Sequence, residues 1–263
     1  MKETAVLKKA ALAGGRVLKA KFGKVGYRLK GRANLLTEAD LASEKAVKAA
    51  IRRAFPGDGF MAEESPLEET ANGRLWIIDP LDGTTNYAHG FPAAAVSVAF
   101  AEKGRVRAGG VYDPFKDELF LAEEGRGATV NGRRLAVTRT PSLDRALLVT
   151  GFPYDRAERA AFYCRFFAEF MKISHDVRRM GAASLDLCWL AAGRTDGYWE
   201  FGLKPWDVAA GGLILREAGG RTTDFDGRQW RLGPGTGAQT LATNGRLHAP
   251  MLKMIRRLLR KGN

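Results

Sequence analysis

Carboxylates, hydroxyl side chains and a glycine lie together at residues 79–87, with the sequence Asp-Pro-Leu-Asp-Gly-Thr-Thr-Asn-Tyr. Hard divalent cations such as Mg²⁺ prefer oxygen ligands in proteins. Asp79, Asp82 and the Leu81 carbonyl could supply three such ligands from one tight turn. Gly83 would allow the backbone to approach a ligand closely, and the free N–H groups of a helix starting just after it would face a bound phosphate. This segment therefore predicts that carboxylates, metal and phosphate meet in one place.

The same residue types are also common in ordinary turns, so the segment alone leaves both interpretations open. Two further acidic segments could add carboxylates to a metal site. One is Ala-Glu-Glu-Ser at 62–65, which contains Glu63, and the other is Pro-Trp-Asp-Val-Ala-Ala-Gly at 205–211, which contains Asp207.

Regular elements must hold these segments in place. The apolar run 75–78 predicts a buried strand that ends at Asp79. Helical spacing of apolar residues predicts helices at 3–20 and at 37–54, the second with Thr37 as its N-cap.

In the remaining chain, the pattern of apolar and turn residues changes near the middle. Residues 93–135 contain short apolar runs separated by turn residues, which predicts antiparallel strands. Beyond residue 143, predicted strands alternate with helices, which is typical of an α/β layer. The predicted helices of this half are 155–172, 181–192, 207–218 and a last one after Pro250. We therefore predict a layered α/β sandwich with two subdomains, 1–142 and 143–263, that share the active site.

The charge is strongly positive, with 42 Lys and Arg against 29 Asp and Glu and a formal net charge of +13. Such a chain attracts phosphates, nucleic acids or anionic surfaces. Most of the cations are scattered, which is typical of a solvated surface. The C-terminal segment 250–263 is basic and amphipathic. It could bind an anionic partner, but docking of a terminal helix on the core is the favoured interpretation.

Targeting and redox signals are weak. The N-terminus lacks the apolar run of a signal peptide, and the longest uncharged stretch, 83–101, contains Pro92 and several polar residues, so we expect no membrane span. Cys164 and Cys188 lie in apolar stretches without metal-ligand spacing, and we interpret both as buried, reduced core residues. Together these features indicate a cytoplasmic protein.

Several long motifs in register resemble the inositol monophosphatase family of Mg²⁺-dependent, lithium-sensitive sugar and polyol phosphatases. Residues 79–87 resemble its central signature, and residues 206–211 (Trp-Asp-Val-Ala-Ala-Gly) its C-terminal signature. Residues 62–65 resemble its upstream metal-binding acidic pair, although Ala62 stands where the family often has Gly. Residues 34–40 resemble its N-terminal segment. The resemblance spans about residues 30–220 and implies the family's sugar-phosphatase fold, with two subdomains.

The resemblance implies two to three Mg²⁺ ions in each active site. Glu63, Asp79 and the Leu81 carbonyl would hold the first. Asp79, Asp82 and Asp207 would hold the second, and Asp82 would also border the substrate. A third, weaker site would use Glu63 and mostly water.

It also implies roles for residues that bear on the substrate. Thr84, oriented by Asp40, would help to deprotonate a metal-bound water, with Glu63 also belonging to the catalytic set. The backbone N–H groups of Gly83 and Thr84 would hold the phosphate. Glu200 would grip substrate hydroxyls, and the backbone at Ala183 would meet the sugar or inositol ring.

The implied reaction is hydrolysis of myo-inositol monophosphate to inositol and phosphate by a metal-activated water. Fructose-1,6-bisphosphatase or dual sugar phosphatase activity is the alternative within the family. A nucleic-acid-binding or partner-binding protein is the alternative from another class, because of the positive charge. A homodimer is implied by the resemblance alone. Lys30 and Arg32 precede the N-terminal motif, and either a place near the active site or a solvated surface fits them.

Overall fold

The computed structural model describes residues 1–31, 35–233 and 235–260. These residues form seven α-helices, fourteen β-strands and one short 3-10 turn at Leu143–Arg145. The helices are α1 (Lys2–Lys21), α2 (Glu38–Arg52), α3 (Thr84–Ala88), α4 (Arg156–Met171), α5 (Ala183–Ala191), α6 (Pro205–Glu217) and α7 (His248–Arg260). The strands are β1 (Tyr27–Leu29), β2 (Leu35–Thr37), β3 (Gly59–Ala62), β4 (Arg74–Asp82), β5 (Ala95–Glu102), β6 (Arg105–Asp113), β7 (Glu118–Glu123), β8 (Gly127–Val130), β9 (Arg133–Arg134), β10 (Leu147–Thr150), β11 (Asp176–Arg178), β12 (Gly197–Phe201), β13 (Arg221–Thr223) and β14 (Gln239–Thr243).

The strands form two large sheets and one two-stranded ribbon. The first large sheet has seven strands in the order β3-β4-β5-β6-β7-β8-β9, and all neighbours are antiparallel except β3 and β4. The second has five strands in the order β11-β10-β12-β14-β13, with parallel pairs on either side of β10. β1 and β2 pair with each other in the ribbon.

Helices separate and cover the sheets, because each sheet has two apolar faces to bury. α1 and α2 pack together on one face of the seven-stranded sheet. α5 and α6 lie between the two sheets and contribute side chains such as Leu187 and Ile214 to the largest core cluster. α4 and α7 cover the outer face of the five-stranded sheet, around Trp199. The architecture is thus the layered α/β arrangement predicted from the sequence.

Several element predictions are confirmed by local chemistry. Thr37 caps α2 by accepting a hydrogen bond from the Ala39 N–H at 3.1 Å, and Asp40 completes a capping box. α6 begins at Pro205, two residues before the predicted start, because proline is well tolerated in the first turn of a helix. α7 likewise begins at His248 and contains Pro250 in its first turn.

α7 is docked on the core, as favoured from the sequence. His248, Met251, Ile255 and Leu258 are buried against the five-stranded sheet. Lys261, the last cation of the predicted basic helix, lies outside the described residues. The prediction for Cys188 is confirmed, since it is buried, but the prediction for Cys164 is wrong, since its side chain is exposed.

The boundary between subdomains stays a prediction. The seven-stranded sheet lies within residues 59–134 and the five-stranded sheet within residues 147–243, while α5 and α6 pack between them. In the parts of the chain that the structure describes, no helix has the length and apolar character needed to cross a membrane.

Candidate active site

The end of β4 presents the first acidic residues. β4 pairs with β5 up to Asp79 opposite Ser97, and the register then shifts before Asp82 pairs with Ala95. The irregularity turns the chain, and Asp79 stabilises it by accepting a hydrogen bond from the Leu81 N–H at 3.0 Å. Both carboxylates are buried. The predicted buried strand therefore continues through the acidic turn instead of ending at Asp79.

Gly83 connects this strand to α3. Its φ of 87° lies in the left-handed region, where side chains other than glycine are disfavoured. A Cβ at this position would also lie 2.7 Å from the Ala93 carbonyl oxygen. Both observations explain why this turn requires glycine, and α3 begins with the next residue, as predicted.

Thr84 is held by two acceptors. Its hydroxyl lies 2.9 Å from the Leu81 carbonyl oxygen and 3.3 Å from Asp40 Oδ1. Asp40 Oδ2 in turn accepts from the Thr37 N–H at 2.7 Å and the Thr37 hydroxyl at 2.6 Å. Burial raises the pKa of Asp40, although the hydrogen bonds from Thr37 oppose the shift. The N-cap of α2 thereby orients the residue that contacts Thr84.

The second half of the chain meets the acidic turn through α5. Asp82 Oδ2 accepts from the Ser184 N–H at 2.7 Å and from the Ser184 hydroxyl at 2.5 Å, and Asp82 Oδ1 accepts from the Ala183 N–H at 3.2 Å. The Ala183 N–H is therefore directed at Asp82. Hydrogen bonds of this kind fix the direction of a carboxylate without using all of its lone pairs.

α6 and β12 supply the remaining acids. Asp207 lies in the first turn of α6 and accepts from the Lys204 N–H at 2.7 Å, so the helix start fixes its orientation. Glu200 on β12 is buried and accepts a short hydrogen bond from the Tyr198 hydroxyl. Gly151 lies directly against the Glu200 carboxylate, and a Cβ there would be 2.2 Å from it.

One cavity of about 210 Å³ brings these residues together. It is lined by Glu63, Asp79, Leu81, Asp82, Gly83, Thr84, Ala183, Glu200 and Asp207, among others. Asp40 does not line it and contacts it through Thr84. Of the ten site residues predicted from the sequence, the structure thus places nine around one cavity and the tenth directly behind it.

The cavity concentrates negative charge. Burial raises the pKa of Glu63 to about 7, and repulsion by Glu64 adds to the shift. Burial likewise raises the pKa of Asp82 to about 6, against hydrogen bonds from Ser184 that lower it. The pKa values of Asp79 and Asp207 are raised by burial and then by the charges of the neighbouring acids. Such repulsion between carboxylates is relieved when a cation binds among them.

The whole chain matches a known family. The model of the inositol monophosphatase family matches residues 2–260. The chain belongs to the inositol monophosphatase family. It is accordingly a phosphatase, as the sequence motifs predicted.

Some relatives are named Nus factor SuhB and others inositol-1-monophosphatase. The chain is 48% identical to the Nus factor SuhB of Pseudomonas aeruginosa over 197 residues, which cover 73% of each protein. It is 44% identical to the inositol-1-monophosphatase of Synechocystis sp. over 249 residues, which cover 94% of this chain and 86% of that one. The crystal structure of the extragenic suppressor protein SuhB from Bartonella henselae matches with a TM-score of 0.91 and 37% identity over the full length of both chains. The predicted sugar-phosphatase fold is therefore confirmed.

The ligand atoms around the cavity are of the types that a hard cation prefers. They are carboxylate oxygens and one backbone carbonyl, the types that Mg²⁺ prefers. Among the described residues, however, no group of three or more acidic, His or Cys side chains converges closely enough to hold one ion. The carboxylates surround the cavity and repel one another. This arrangement suits cations that bind between separate carboxylates better than one cation enclosed by a preformed cluster of ligands.

Lys30 provides a counter-charge beside Glu63. Its ammonium group forms a short ion pair with Glu64 and lies 3.7 Å from Glu63 Oε1. Of the two positions considered from the sequence, the one near the active site is correct. Arg32, considered with it, lies outside the described residues. The Glu64 N–H is held by Glu44 at 3.1 Å, so Glu64 anchors Lys30 beside the metal-binding residue Glu63 predicted from the sequence.

Sequence reasoning missed part of the cavity wall. Tyr154 and Arg156 follow β10 and Lys204 precedes α6, and all three line the cavity. Arg179, which follows β11, lines it too; from the sequence, a phosphate contact, an oligomer interface and a structural ion pair are all open for Arg178 and Arg179. Tyr154 lines the cavity although its side chain is 53% exposed, and its pKa is raised by desolvation and then by Glu63 and the other cavity acids. Each of these residues lies just beyond a strand end or at the start of a helix, which is the only signal in the sequence that could have found them.

Proposed function

We propose that this phosphatase hydrolyses myo-inositol monophosphate to inositol and phosphate, with Mg²⁺ as its cofactor. The proposal depends on one observation: Glu63, Asp79, Asp82 and Asp207 line the same cavity as Thr84, the first residue of α3. The family membership supports a phosphorylated polyol as substrate.

The residues that would hold two to three Mg²⁺ ions are Glu63, Asp79, the Leu81 carbonyl, Asp82 and Asp207. Bound Mg²⁺ would polarise the phosphate ester, lower the pKa of the attacking water and stabilise the leaving oxygen. The protein keeps these carboxylates ready through fixed hydrogen bonds, such as that from Ser184 to Asp82. Supporting hydrogen bonds of this kind orient metal ligands and tune their affinity.

Thr84 and Asp40 would move the proton. The Thr84 hydroxyl can accept a proton from the attacking water while donating its own to Asp40 Oδ1, 3.3 Å away. Asp40 suits this role because burial raises its pKa, and a base is most effective when its pKa lies near the working pH.

The substrate would lie between the two halves of the cavity. The backbone N–H groups of Gly83 and Thr84 would hold the phosphate at the start of α3. Glu200 would accept hydrogen bonds from ring hydroxyls, and its fixed position against Tyr198 limits which ring orientations fit. Ala183 lines the same wall, so its methyl group would contact the ring, while its N–H serves Asp82.

A substrate panel tests the proposal. Phosphate release would be measured with Mg²⁺ from inositol 1-phosphate, fructose 1,6-bisphosphate, a 3′-phosphonucleotide and histidinol phosphate. We expect the highest kcat/KM for inositol 1-phosphate and a loss of at least about 10³-fold in Asp82→Asn. Asp226→Asn is the matched control, because Asp226 is an exposed acid that pairs with Arg228 and does not line the cavity. A folded wild type that cleaves none of the four would contradict the proposal.

Fructose 1,6-bisphosphate is the second candidate substrate. Arg156, Arg179 and Lys204 line the cavity beside the acids, and a second phosphate would find counter-charges there. If it is the better substrate, Arg156→Gln would raise its KM by roughly tenfold and leave that for inositol 1-phosphate nearly unchanged.

A role in binding a macromolecular partner is the candidate from another class. The net charge of +13 and the relatives named Nus factor favour it. Selective binding to a defined RNA or protein that survives Asp82→Asn would support it, whereas binding lost entirely with salt would indicate phosphate contacts alone. A homodimer and lithium inhibition stay predictions from the family resemblance.

A further inference from the structure

A second and larger cavity borders α6 at Val208 and Ala209, the residues that follow Asp207 in the sequence. Its volume is about 410 Å³, within the range of small-molecule sites. It is bounded by the β5–β6 turn, the end of β7, the flank of α6 and the segment before β14. Val208 and Ala209 of α6 line it, and it shares no lining residue with the acidic cavity. The two cavities are therefore separate sites that border the same helix.

The charges in this cavity are the reverse of those in the active site. Three arginines, Arg105, Arg216 and Arg231, line it together with one acid, Glu124. Glu124 already pairs with Arg105 at 2.7 Å and with Arg107 through a short contact. The single carboxylate in the wall is thus neutralised by arginines on the seven-stranded sheet.

Arg216 and Arg231 keep their charges uncompensated. Among the described residues, neither guanidinium forms a hydrogen bond or an ion pair within the structure. The Arg216 side chain is exposed overall, and partial desolvation at the cavity wall lowers its pKa, which the nearby charges of Glu124 and Glu217 only partly oppose. Glu217 is occupied by the N–H groups of Gly125 and Gly127.

The rest of the wall gives the cavity a partly apolar floor. The Trp230 ring packs on α6, where a Cβ on Gly212 would lie 2.8 Å from it. Its indole nitrogen is buried without an acceptor. Val106 and Val208 complete the apolar surface. Free guanidinium groups above such a floor are well suited to an oxyanion, since Arg binds phosphate and carboxylate groups in a fixed fork geometry.

We propose that this cavity is a second anion-binding site, which binds a small phosphate-bearing or carboxylate-bearing molecule through Arg216 and Arg231. The site is independent of the hydrolytic reaction, because it contains none of the catalytic or metal-binding residues inferred above. The inference therefore stands or falls separately from the proposed substrate.

Calorimetric titration with inorganic phosphate in EDTA tests the site. Without metal, the carboxylates of the acidic cavity disfavour phosphate, although Arg156, Arg179 and Lys204 also line it. Saturable phosphate binding at constant ionic strength is therefore assigned to one cavity or the other by the arginine variants. We expect Arg216→Gln and Arg231→Gln each to weaken phosphate binding by roughly ten- to hundredfold, the loss of one charged hydrogen bond. Arg178→Gln is the matched control, since Arg178 is exposed and pairs with Asp176 on β11. Sulfate and citrate titrations then tell a phosphate site from a general oxyanion site.

Three results would overturn the inference. One is the absence of saturable binding in the folded wild type. Another is unchanged phosphate affinity in both Arg216→Gln and Arg231→Gln. The third is binding that is lost in Arg179→Gln but kept in Arg216→Gln, because Arg179 lines the acidic cavity. Circular dichroism of each variant separates lost binding from lost folding.

Discussion

At the scale of single residues, the hydrogen bonds of Thr84 indicate most directly a role in proton transfer. Its hydroxyl is buried between Asp40 and the Leu81 carbonyl. We expect Thr84→Ala to lower kcat by roughly 10²- to 10³-fold, typical of a lost proton-transfer group. Thr84→Ser keeps the hydroxyl and should retain most activity. Steady-state kinetics at saturating Mg²⁺ checks this, and a Thr84→Ala enzyme within threefold of wild type would exclude the role.

The raised pKa values of Glu63 and Asp82 predict how metal binding depends on pH. Their pKa values are raised to about 7 and about 6 by burial, and Mg²⁺ binds only the ionised carboxylates. Protons therefore compete with the metal as the pH falls. We expect the apparent Kd for Mg²⁺ to rise by roughly tenfold between pH 7 and pH 6. Calorimetry at pH 6, 7 and 8 measures this, and a Kd that is flat across the range would contradict it.

At the scale of elements, the turn from β4 into α3 depends on Gly83. Its φ of 87° and the 2.7 Å approach of the Ala93 carbonyl leave no room for a side chain. We expect Gly83→Ala to destabilise the fold by about 1–3 kcal/mol and to remove most activity, because the turn carries Asp82 and Thr84. Thermal unfolding measures the first effect.

Gly57→Ala is the matched control for that change. No atom lies within 4 Å of a Cβ at Gly57, so the substitution meets open space. Replacing glycine there should leave the free energy of unfolding nearly unchanged. Equal stability of the two variants would show that the turn tolerates a side chain.

The elements also explain which features the sequence could predict. Thr37 and Gly83 act locally, through a cap and a turn, so their neighbours in sequence were sufficient to predict them. Cys164 was predicted wrongly because α4 turns Tyr163 and Phe166 inward and leaves the residue between them outside. Tyr154 was missed because its loop has no periodic pattern of apolar residues, and only the tertiary fold brings it to the acidic cavity.

At the scale of the whole molecule, both halves of the chain contribute carboxylates to the same acidic cavity. The acidic turn comes from the seven-stranded sheet, while Asp207 comes from α6 between the sheets. Carboxylates whose folded pKa is raised make the folded state bind more protons than the unfolded state. The contribution of these groups to the stability of the metal-free protein is therefore fully present below their unfolded pKa values of about 4. It is lost as the pH rises toward the folded pKa values, about 6 for Asp82 and about 7 for Glu63, by roughly 1.4 kcal/mol per pH unit for each group.

Asp207→Asn separates stability from function in this arrangement. The amide oxygen can still accept from the Lys204 N–H, while the change removes one charge that repels Asp82. In EDTA at pH 7.5 we expect the variant to melt a few degrees above wild type, since relief of about 1 kcal/mol shifts Tm by about 2–4 °C for a chain of this size. In 10 mM Mg²⁺ the order should reverse, because only wild type gains the binding free energy of the metal. A variant that melts below wild type in both buffers would mean that Asp207 stabilises the fold by itself, and that the acidic cavity is not strained in the absence of a cation.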